Sequence, residues 1–317
     1  MTSARTSLGF VLVDGFSMMA FVAATEPLRI ANRLLGGAAY AWTVISEDGA
    51  AVTASNGMRV LPDADMRTIT HLPWLAVCSG FRFEAGPSTA LRRWLVALDR
   101  AGAVLGGIDT GCFSLAAAGL LDGRVVTLHW ESLPVFRERF AQVTAVESLY
   151  ELDARRFSCA GGMAATDMML ADIATRHGGP LATRVAEQLI HDRARVMAGG
   201  QRRSLVERLG SHDPVLVRAV ALMESHIEAP LSLTAIAQQI GRSPRRVQAV
   251  FAHHLGCSPG AWYRKIRLEQ AHALISASER SITDIAMACG FVSVAVFSRA
   301  FKRQFAIAPS ALRGARK

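Results

Sequence analysis

A repeated pattern occupies residues 231–255, L-S-L-T-A-I-A-Q-Q-I-G-R-S-P-R-R-V-Q-A-V-F-A-H-H-L, and residues 281–305, S-I-T-D-I-A-M-A-C-G-F-V-S-V-A-V-F-S-R-A-F-K-R-Q-F. In each copy apolar residues at helical spacing are interrupted by a glycine, Gly241 or Gly290, and then resume. The predicted inward positions are Leu233, Ile236, Ala237, Ile240, Val247, Val250, Phe251 and Leu255, then Ile282, Ile285, Ala286, Cys289, Phe297, Ala300, Phe301 and Phe305. A helix, a tight turn and a second helix form a helix-turn-helix motif, whose second helix enters the DNA major groove.

The segment between the copies, residues 259–276, mixes apolar and charged positions and predicts one helix. Such a helix spans roughly 27 Å at 1.5 Å per residue. Because groove openings on one face of DNA recur about every 34 Å, this length suits two reading helices in adjacent grooves. The structural alternative is a plain helical bundle, and the repetition, the glycine turns and the charge weigh against it.

Charge is distributed unevenly along the chain. Lys and Arg exceed Asp and Glu by 17 to 7 from residue 196 onward, whereas residues 1–195 hold 18 against 19. The basic excess therefore lies on the segment with the repeated motif, as expected of a module that binds phosphates.

The stretch from about residue 214 to residue 313 resembles the DNA-binding domain of AraC/XylS-type regulators. The resemblance rests on R-L-E-Q-A at 267–271, C-G-F at 289–291 and F-S-R-A-F at 297–301. Side chains in the first turns of a reading helix reach base edges, so the first helix offers most polar specificity. The predicted DNA-binding residues are Ser243, Arg245, Arg246, Gln248, Ser293, Arg299 and Lys302.

The first 190 residues alternate short apolar strands with helices. Strands are predicted at 8–13, 42–46, 51–54, 74–78, 104–108 and 125–129, and helices at 18–35, 89–101, 112–121 and 133–140. This alternation predicts an α/β fold, a flavodoxin-like parallel sheet with helices on both faces, followed by an all-α domain with two helix-turn-helix motifs. Ligands of such sheets bind at the carboxyl ends of the strands.

One strand runs into a helix without a loop, in A-V-L-G-G-I-D-T-G-C-F-S-L at 103–115, so Asp109 must occupy a sharp turn at a helix N-terminus. This turn resembles the nucleophile elbow of the PfpI and class I glutamine amidotransferase superfamily. The resemblance extends over 26–32, 118–124, 127–131 and 160–163. With the C-terminal motifs, nearly the whole chain resembles GlxA-type AraC regulators.

The resemblance matches His129 and Glu26 to the superfamily's His and Glu, but Asp109 stands where the enzymes have Cys. A carboxylate is a much weaker nucleophile than a thiolate, so we predict a binding site and not an enzyme. The alternative is a PfpI-like hydrolase or amidotransferase fused to a DNA-binding domain. Each residue also has a structural alternative: Asp109 as a helix cap, Glu26 as a solvated side chain and His129 as a core histidine.

Two carboxylates, Glu26 and Asp109, are expected to converge at the sheet edge, where a cation would compensate their charge. Aromatic rings favour ammonium groups, and backbone amides near Gly80 would hold a carboxylate. The predicted ligand is a small zwitterionic or cationic metabolite. The resemblance to GlxA-type regulators implies that this domain senses carnitine, glycine betaine or arginine. The predicted ligand-binding residues are Glu26, Asp109, His129, Trp130, Phe16, Phe81, Phe113 and Gly80.

Three parts are predicted: a ligand-sensing domain at 1–190, a linker at 191–213 around Gly199-Gly200, and the DNA-binding domain at 214–317. The five scattered cysteines predict reduced thiols in the cytoplasm, with no metal site or cofactor. The absence of a signal-peptide pattern or a long apolar run gives the same expectation, with no membrane partner. The resemblance implies a homodimer that binds promoter DNA and acts with RNA polymerase, usually as an activator.

Overall fold

The structure, a computed structural model, describes residues 5–80, 86–192, 194–202, 204–277 and 280–314. The chain divides into two compact units, 1–201 and 202–317. In the part of the chain that is described, no helix combines the length and apolar composition needed to cross a bilayer.

The first unit is built on a seven-stranded sheet. The strands of the unit are β1 Thr6–Leu12, β2 Tyr40–Ser46, β3 Val52–Thr53, β4 Arg59–Val60, β5 Ala64–Asp65, β6 Trp74–Cys78, β7 Val104–Ile108, β8 Val125–Val126, β9 Thr144–Ala145, β10 Tyr150–Leu152 and β11 Arg156–Cys159. The order in the main sheet is β10-β11-β7-β6-β1-β2-β5, and every pair is parallel except β10 with β11. The predicted mostly parallel α/β sheet is confirmed.

Helices accompany this sheet. Within the described residues of the unit they are α1 Met18–Leu35, α2 Thr89–Arg100, α3 Cys112–Ala117, α4 Leu133–Arg139, α5 Ala164–His177 and α6 Gly179–Gln188. The Ser17 hydroxyl caps α1 by accepting from the Ala20 amide. Alternate β1 residues, Leu8, Phe10 and Leu12, join the core cluster that α1, α5 and α6 cover. Strand alternation turns the intervening, fully buried Val11 toward the opposite face.

The region after α3 differs from the prediction. Instead of a five-residue strand at 125–129, only β8 forms, and it pairs with β9 in a separate two-stranded sheet. Directly after β8, the Thr127 amide donates to the side-chain hydroxyl of Ser158 on β11. The main sheet is completed by β10 and β11 at one edge and by β5 at the other, none of which the sequence analysis identified.

The predicted linker also differs in the structure. Residues 191–201 belong to the first compact unit, and the Leu149 amide donates to the Met197 carbonyl at 3.0 Å. A short helix, α7 Leu205–Leu209, follows with a complete capping box between Ser204 and Glu207. The polar and glycine-rich composition indicated a flexible stretch. In the structure, however, the side chains of His191, Arg195 and Gln201 contact buried hydrogen-bonding groups.

The second unit is entirely helical where it is described. Its helices after α7 are α8 Pro214–Ser225, α9 Leu233–Gln239, α10 Pro244–Leu255, α11 Pro259–Ala277, α12 Ile282–Ala288, α13 Val294–Phe305 and α14 Pro309–Gly314. The pairs α9–α10 and α12–α13 are the two predicted helix-turn-helix motifs, and α11 is the predicted connecting helix. The turn glycines, Gly241 and Gly290, both have a positive φ, which glycine adopts without a steric cost.

Helix α11 is bonded to both motifs. The Tyr263 hydroxyl donates to the His226 carbonyl at 2.6 Å and accepts from the Leu231 amide, just before α9. One turn later, the Arg267 guanidinium donates to the carbonyls of Cys289 and Gly290 at 2.7 and 2.6 Å. These bonds cap the end of α12, so one helix fixes both motifs.

Replacing Arg267 with Lys should destabilise the second motif by about 1–3 kcal/mol, because an ammonium cannot reproduce the two-pronged contact with the α12 carbonyls. The guanidinium also lies 4.3 Å from the Phe291 ring centroid, a contact that Lys would weaken. Native-state hydrogen exchange of the α12 amides in the full chain measures the loss. The matched control is Arg264→Lys on the exposed face of α11; equal exchange in both variants would contradict this role.

Candidate ligand cavity and nucleic-acid interface

The turn after β7 has the strained geometry of an elbow. Asp109 has φ +61°, one of the few non-glycine residues described with a positive φ. Its amide donates to the Cys159 carbonyl at 3.0 Å, which holds the strained residue against the end of β11. Gly111 follows because a Cβ there would lie 2.0 Å from the Val77 carbonyl oxygen. The predicted sharp turn into α3 is therefore present.

A cavity of about 310 Å³ opens beside this elbow. It lies at the carboxyl ends of β7 and β11, where ligands of parallel sheets bind. Its lining residues are Ser17, Asp109, His129, Trp130, Leu149, Ala160, Gly161, Gly162, Met163, Ala164, Arg195 and Gln201. A Cβ on Gly161 would lie 2.7 Å from Asp109 Oδ2, so the carboxyl group fits only against a glycine.

The cavity contains three of the eight predicted ligand-binding residues: Asp109, His129 and Trp130. Glu26 does not line it, and its carboxylate forms a two-pronged ion pair with Arg29 on the next turn of α1. The structure therefore does not bring Glu26 and Asp109 together in this cavity, contrary to the expectation. Glu26 pairs with Arg29 instead because residues three apart meet on one face of α1.

The predicted aromatic cluster is also dispersed. Phe16 is fully buried in the core beside Phe21, and Phe113 packs against Phe136 from inside α3. Gly80 lies outside the lining and instead accepts a hydrogen bond from the Thr110 hydroxyl. Phe81 lies outside the described residues. Strand-end positions indicated which residues follow a strand, but not which way their side chains turn.

The cavity includes residues that sequence analysis did not select. Ser17 caps α1, and 160–164 lead from β11 into α5; only the resemblance at 160–163 had indicated this stretch. Arg195 and Gln201 come from the predicted linker. No local sequence signal identifies them, because their position depends on hydrogen bonds to residues far away in the chain.

The charge state of Asp109 is unusual. Only 6% of the residue is exposed, and burial together with the nearby Glu131 raises the pKa of its carboxyl to about 7. Burial lowers the pKa of His129, and Glu131 opposes that shift in part. The neighbouring carboxylate that acts on Asp109 is thus Glu131, two residues after His129, and not Glu26.

The thiols near the elbow are inaccessible. Cys112 is fully buried, its thiol lies 3.5 Å from the Thr127 carbonyl, and burial raises its pKa. Burial also raises the pKa of Cys78, and that of Cys159 to about 12. A buried thiol with a raised pKa is inert as a nucleophile.

The first reading helix, α10, exposes three polar residues on its first two turns: Arg245, Arg246 and Gln248. Arg246 lies 3.6 Å from the Asp213 carboxylate, whereas the Ser243 hydroxyl caps the helix by accepting from the Arg246 amide. Ser243 is thereby committed to the helix end. Arg245 and Gln248 are exposed where base edges would be reached.

The second reading helix, α13, is less polar at its start. Val296 is 46% exposed, and Val292 just before the helix is 95% exposed. Arg299 and Lys302 lie one and two turns later, and Ser293 forms no side-chain cap. The predicted difference between the two reading helices in polar side chains is therefore present on the surface.

A DJ-1/PfpI-like α/β unit followed by two helix-turn-helix motifs defines a class of DNA-binding transcriptional regulators. A family model described as a helix-turn-helix domain matches residues 236–315. The chain is 42% identical to the HTH-type transcriptional regulator CdhR of Pseudomonas aeruginosa over 95% of its length and 89% of the relative's. It is 40% identical to the HTH-type transcriptional regulator GlxA of Rhizobium meliloti over 96% and 95%.

The chain belongs to the AraC family of helix-turn-helix transcriptional regulators, in its GlxA-like group with an N-terminal DJ-1/PfpI-like domain. A solved THiJ/PfpI family protein of Pseudomonas syringae supports the fold of the first unit, with a TM-score of 0.54 over 68% of this chain and 85% of that one. At 17% identity it shows the fold alone.

Replacing Asp109 with Asn should remove a pH-dependent cost of folding. Because the folded pKa is raised from 3.8 to about 7, the folded state binds more protons than the unfolded state between these values. Wild-type stability should therefore fall relative to the variant as pH rises from 4 to 7, by up to about 4 kcal/mol, and then level off. Urea unfolding of both proteins across this range measures the difference.

The control is Asp122→Asn at an exposed carboxylate. A difference between wild type and Asp109→Asn that does not change with pH would show that the folded protein does not hold this carboxyl protonated.

Proposed function

We propose that this regulator is ligand-responsive and that its effector is a small cationic or zwitterionic amine bound in the Asp109 cavity. It would activate genes for small amine or amino-acid catabolism, acting in the cytoplasm as a homodimer with promoter DNA and RNA polymerase. The observation that carries the proposal is the buried carboxyl of Asp109, whose Oδ1 has no hydrogen-bond partner among the described residues.

A buried polar atom without a partner is costly, so a site that retains one is suited to a ligand that supplies the partner. A cation would favour the charged carboxylate and offset its desolvation. Trp130 lines the same cavity, and aromatic rings attract ammonium groups. The loss of Glu26, Phe16 and Phe113 from the site leaves this part of the chemistry intact.

The enzyme alternative receives no support from the site. A PfpI-like hydrolase needs a nucleophile at the elbow, where this chain has Asp109. The nearby thiols of Cys78, Cys112 and Cys159 are buried, and burial raises the pKa of each. The relatives that match over nearly the whole chain, CdhR and GlxA, are transcriptional regulators.

Calorimetric titration of the full chain with carnitine, glycine betaine, arginine and related amines should identify one binder. Asp109→Asn should weaken it by about 1.5–3 kcal/mol, as for a lost hydrogen bond to a charged group. Because a bound cation would lower the pKa of Asp109 from about 7, binding at pH 7 should also release protons. Titrations in buffers of different ionisation enthalpy measure that release.

The control for the titration is Glu26→Gln, which removes a carboxylate outside the cavity and should leave affinity unchanged. An anionic or purely apolar ligand that binds tightly and is indifferent to Asp109→Asn would contradict the proposed effector class.

We further propose that Arg245 and Gln248 of α10 contact base edges. In α13, Arg299 and Lys302 are the residues that contribute most to DNA binding. Arg245 has the exposure and position for a two-pronged contact with a base edge. Arg246 and Ser243 are less suited because they contact Asp213 and the helix end. The basic excess of residues 196–317 supports phosphate contacts around this core.

Arg245→Ala should cost about 1–3 kcal/mol on the specific site, which can be selected from random duplexes with the full chain, and should reduce the preference over random DNA. The comparison is Arg303→Ala on the exposed last turns of α13, where a phosphate contact would weaken both DNAs alike. Competition binding at fixed salt measures both. Unchanged preference in Arg245→Ala would show that Arg245 does not read bases.

A further inference from the structure

The stretch that leads from the first unit toward the second is anchored at its start by a buried carboxylate. The Asp167 side chain has no exposed surface, and its Oδ1 accepts from the Arg195 amide and contacts His191 Nε2, both at 2.9 Å. Its Oδ2 pairs with Arg195 Nη2 at 2.7 Å and accepts from Nε at 2.9 Å. Removing a partner from such a buried charge is costly, so Asp167 fixes the positions of His191 and Arg195.

The same stretch is anchored at its end by Gln201. Its amide nitrogen lies within 3.0 Å of three acceptors, the carbonyls of Leu128 and Ser148 and the hydroxyl of Thr127. The amide oxygen of Gln201 is buried and has no hydrogen-bond partner in the described part of the chain. The nitrogen thus fixes the side chain, while the oxygen remains an unused acceptor.

Both anchored residues line the cavity of Asp109. The site therefore holds two buried acceptor atoms without partners among the described residues, Asp109 Oδ1 and Gln201 Oε1, contributed by distant parts of the first unit's sequence. Arg195 uses Nε and Nη2 on Asp167, and no hydrogen bond of its Nη1 is found among the described residues, so Nη1 has N–H groups that can donate to an anionic group.

We propose that Arg195 and Gln201 are ligand-binding residues, and that the ligand thereby becomes part of the segment 195–201 that leads to the DNA-binding unit. The ligand donates hydrogen bonds to Asp109 Oδ1 and Gln201 Oε1 and presents a carboxylate to Arg195. This inference rests on the proposed function, because it assigns further contacts to the same effector.

The chemistry of the two free acceptors narrows the ligand class. Leaving an acceptor buried without a donor is costly, so a ligand with N–H or O–H groups binds more tightly than one without them. A fully methylated ammonium carries a charge but donates no hydrogen bond. Trp130 is the one ring of Phe, Tyr or Trp type in the described lining, so no multi-ring cage compensates a donor-free cation there.

The position of Gln201 gives the contact a consequence. The next residue, Arg202, begins the second compact unit. A ligand bonded to Gln201 Oε1 adds a hydrogen bond on the other side of this amide and restrains segment 195–201. Because the segment continues directly into the DNA-binding unit, a change in its restraint can alter that unit's freedom, which is a coupling between two sites.

Four related compounds separate the donor groups: 4-aminobutyrate, 4-amino-3-hydroxybutyrate and the N-trimethyl derivative of each. The first has N–H donors and the second has both N–H and O–H donors. The N-trimethyl derivative of the first has neither, and that of the second has O–H alone. In calorimetry with the full chain, the donor-free compound should bind at least ten-fold more weakly than the others. In Gln201→Met the donor-bearing compounds should lose at least five-fold in affinity, while the donor-free compound changes little.

The matched control is Val196→Ala, an exposed side chain in the same segment that does not line the cavity. Asp109→Asn separates the two proposals. Sensitivity to Asp109→Asn combined with indifference to Gln201→Met would overturn this inference and leave the proposed effector class standing. Failure of all four amines to bind would instead count against that class.

A second measurement needs no ligand. Gln201→Met removes the anchor at the end of the segment, so amide exchange at 195–201 and at Leu149 should rise at least ten-fold relative to Val196→Ala. The expression of a reporter gene controlled by a selected DNA site should also differ between this variant and Val196→Ala. Exchange and reporter output equal to those of the Val196→Ala control would overturn the role of the segment.

Discussion

A carboxyl group held on a strained backbone, away from water, is the constraint around which the first unit is arranged. Asp109 keeps its positive φ because its amide is bonded to the end of β11 and because Gly111 and Gly161 leave space for the turn and the side chain. The contacts of the Asp109 amide and of Gly111 involve backbone atoms, so they do not depend on whether the elbow carries a thiol or a carboxyl. The backbone of this elbow can therefore present either kind of side chain at the same position.

Buried charge also organises the chain beyond the elbow. Asp167 lies on α5, yet its partners His191 and Arg195 come from more than twenty residues later. A carboxylate with no exposed surface requires compensation, and it obtains this from a polar stretch that would otherwise be solvated. Ion pairs as well as apolar packing therefore fix the end of the first unit.

The sequence was informative wherever structure follows from local periodicity. The bounds of α1, the two helix-turn-helix motifs and the elbow at Asp109 could all be predicted, because helix spacing, glycine turns and strand-to-helix junctions are local signals. The cavity lining could be predicted only in part. The partner of Glu26 depends on a rotamer, and the placement of Gln201 depends on acceptors more than fifty residues away along the chain. Such distant pairings leave no periodic trace in one sequence.

The bonds from α11 to both motifs fix the rotation of one reading helix relative to the other. Each residue added to an α-helix turns the remainder of that helix by about 100° and advances it by 1.5 Å. An insertion between Tyr263 and Arg267 would therefore rotate one reading helix away from the DNA face that the other occupies. The turns are free of this restriction, and there the two copies do differ: Gly241 to Ser243 spans one residue less than Gly290 to Ser293. The chain thus accommodates two turn lengths, whereas an added residue in the helix that joins the motifs would change the rotation of one motif relative to the other.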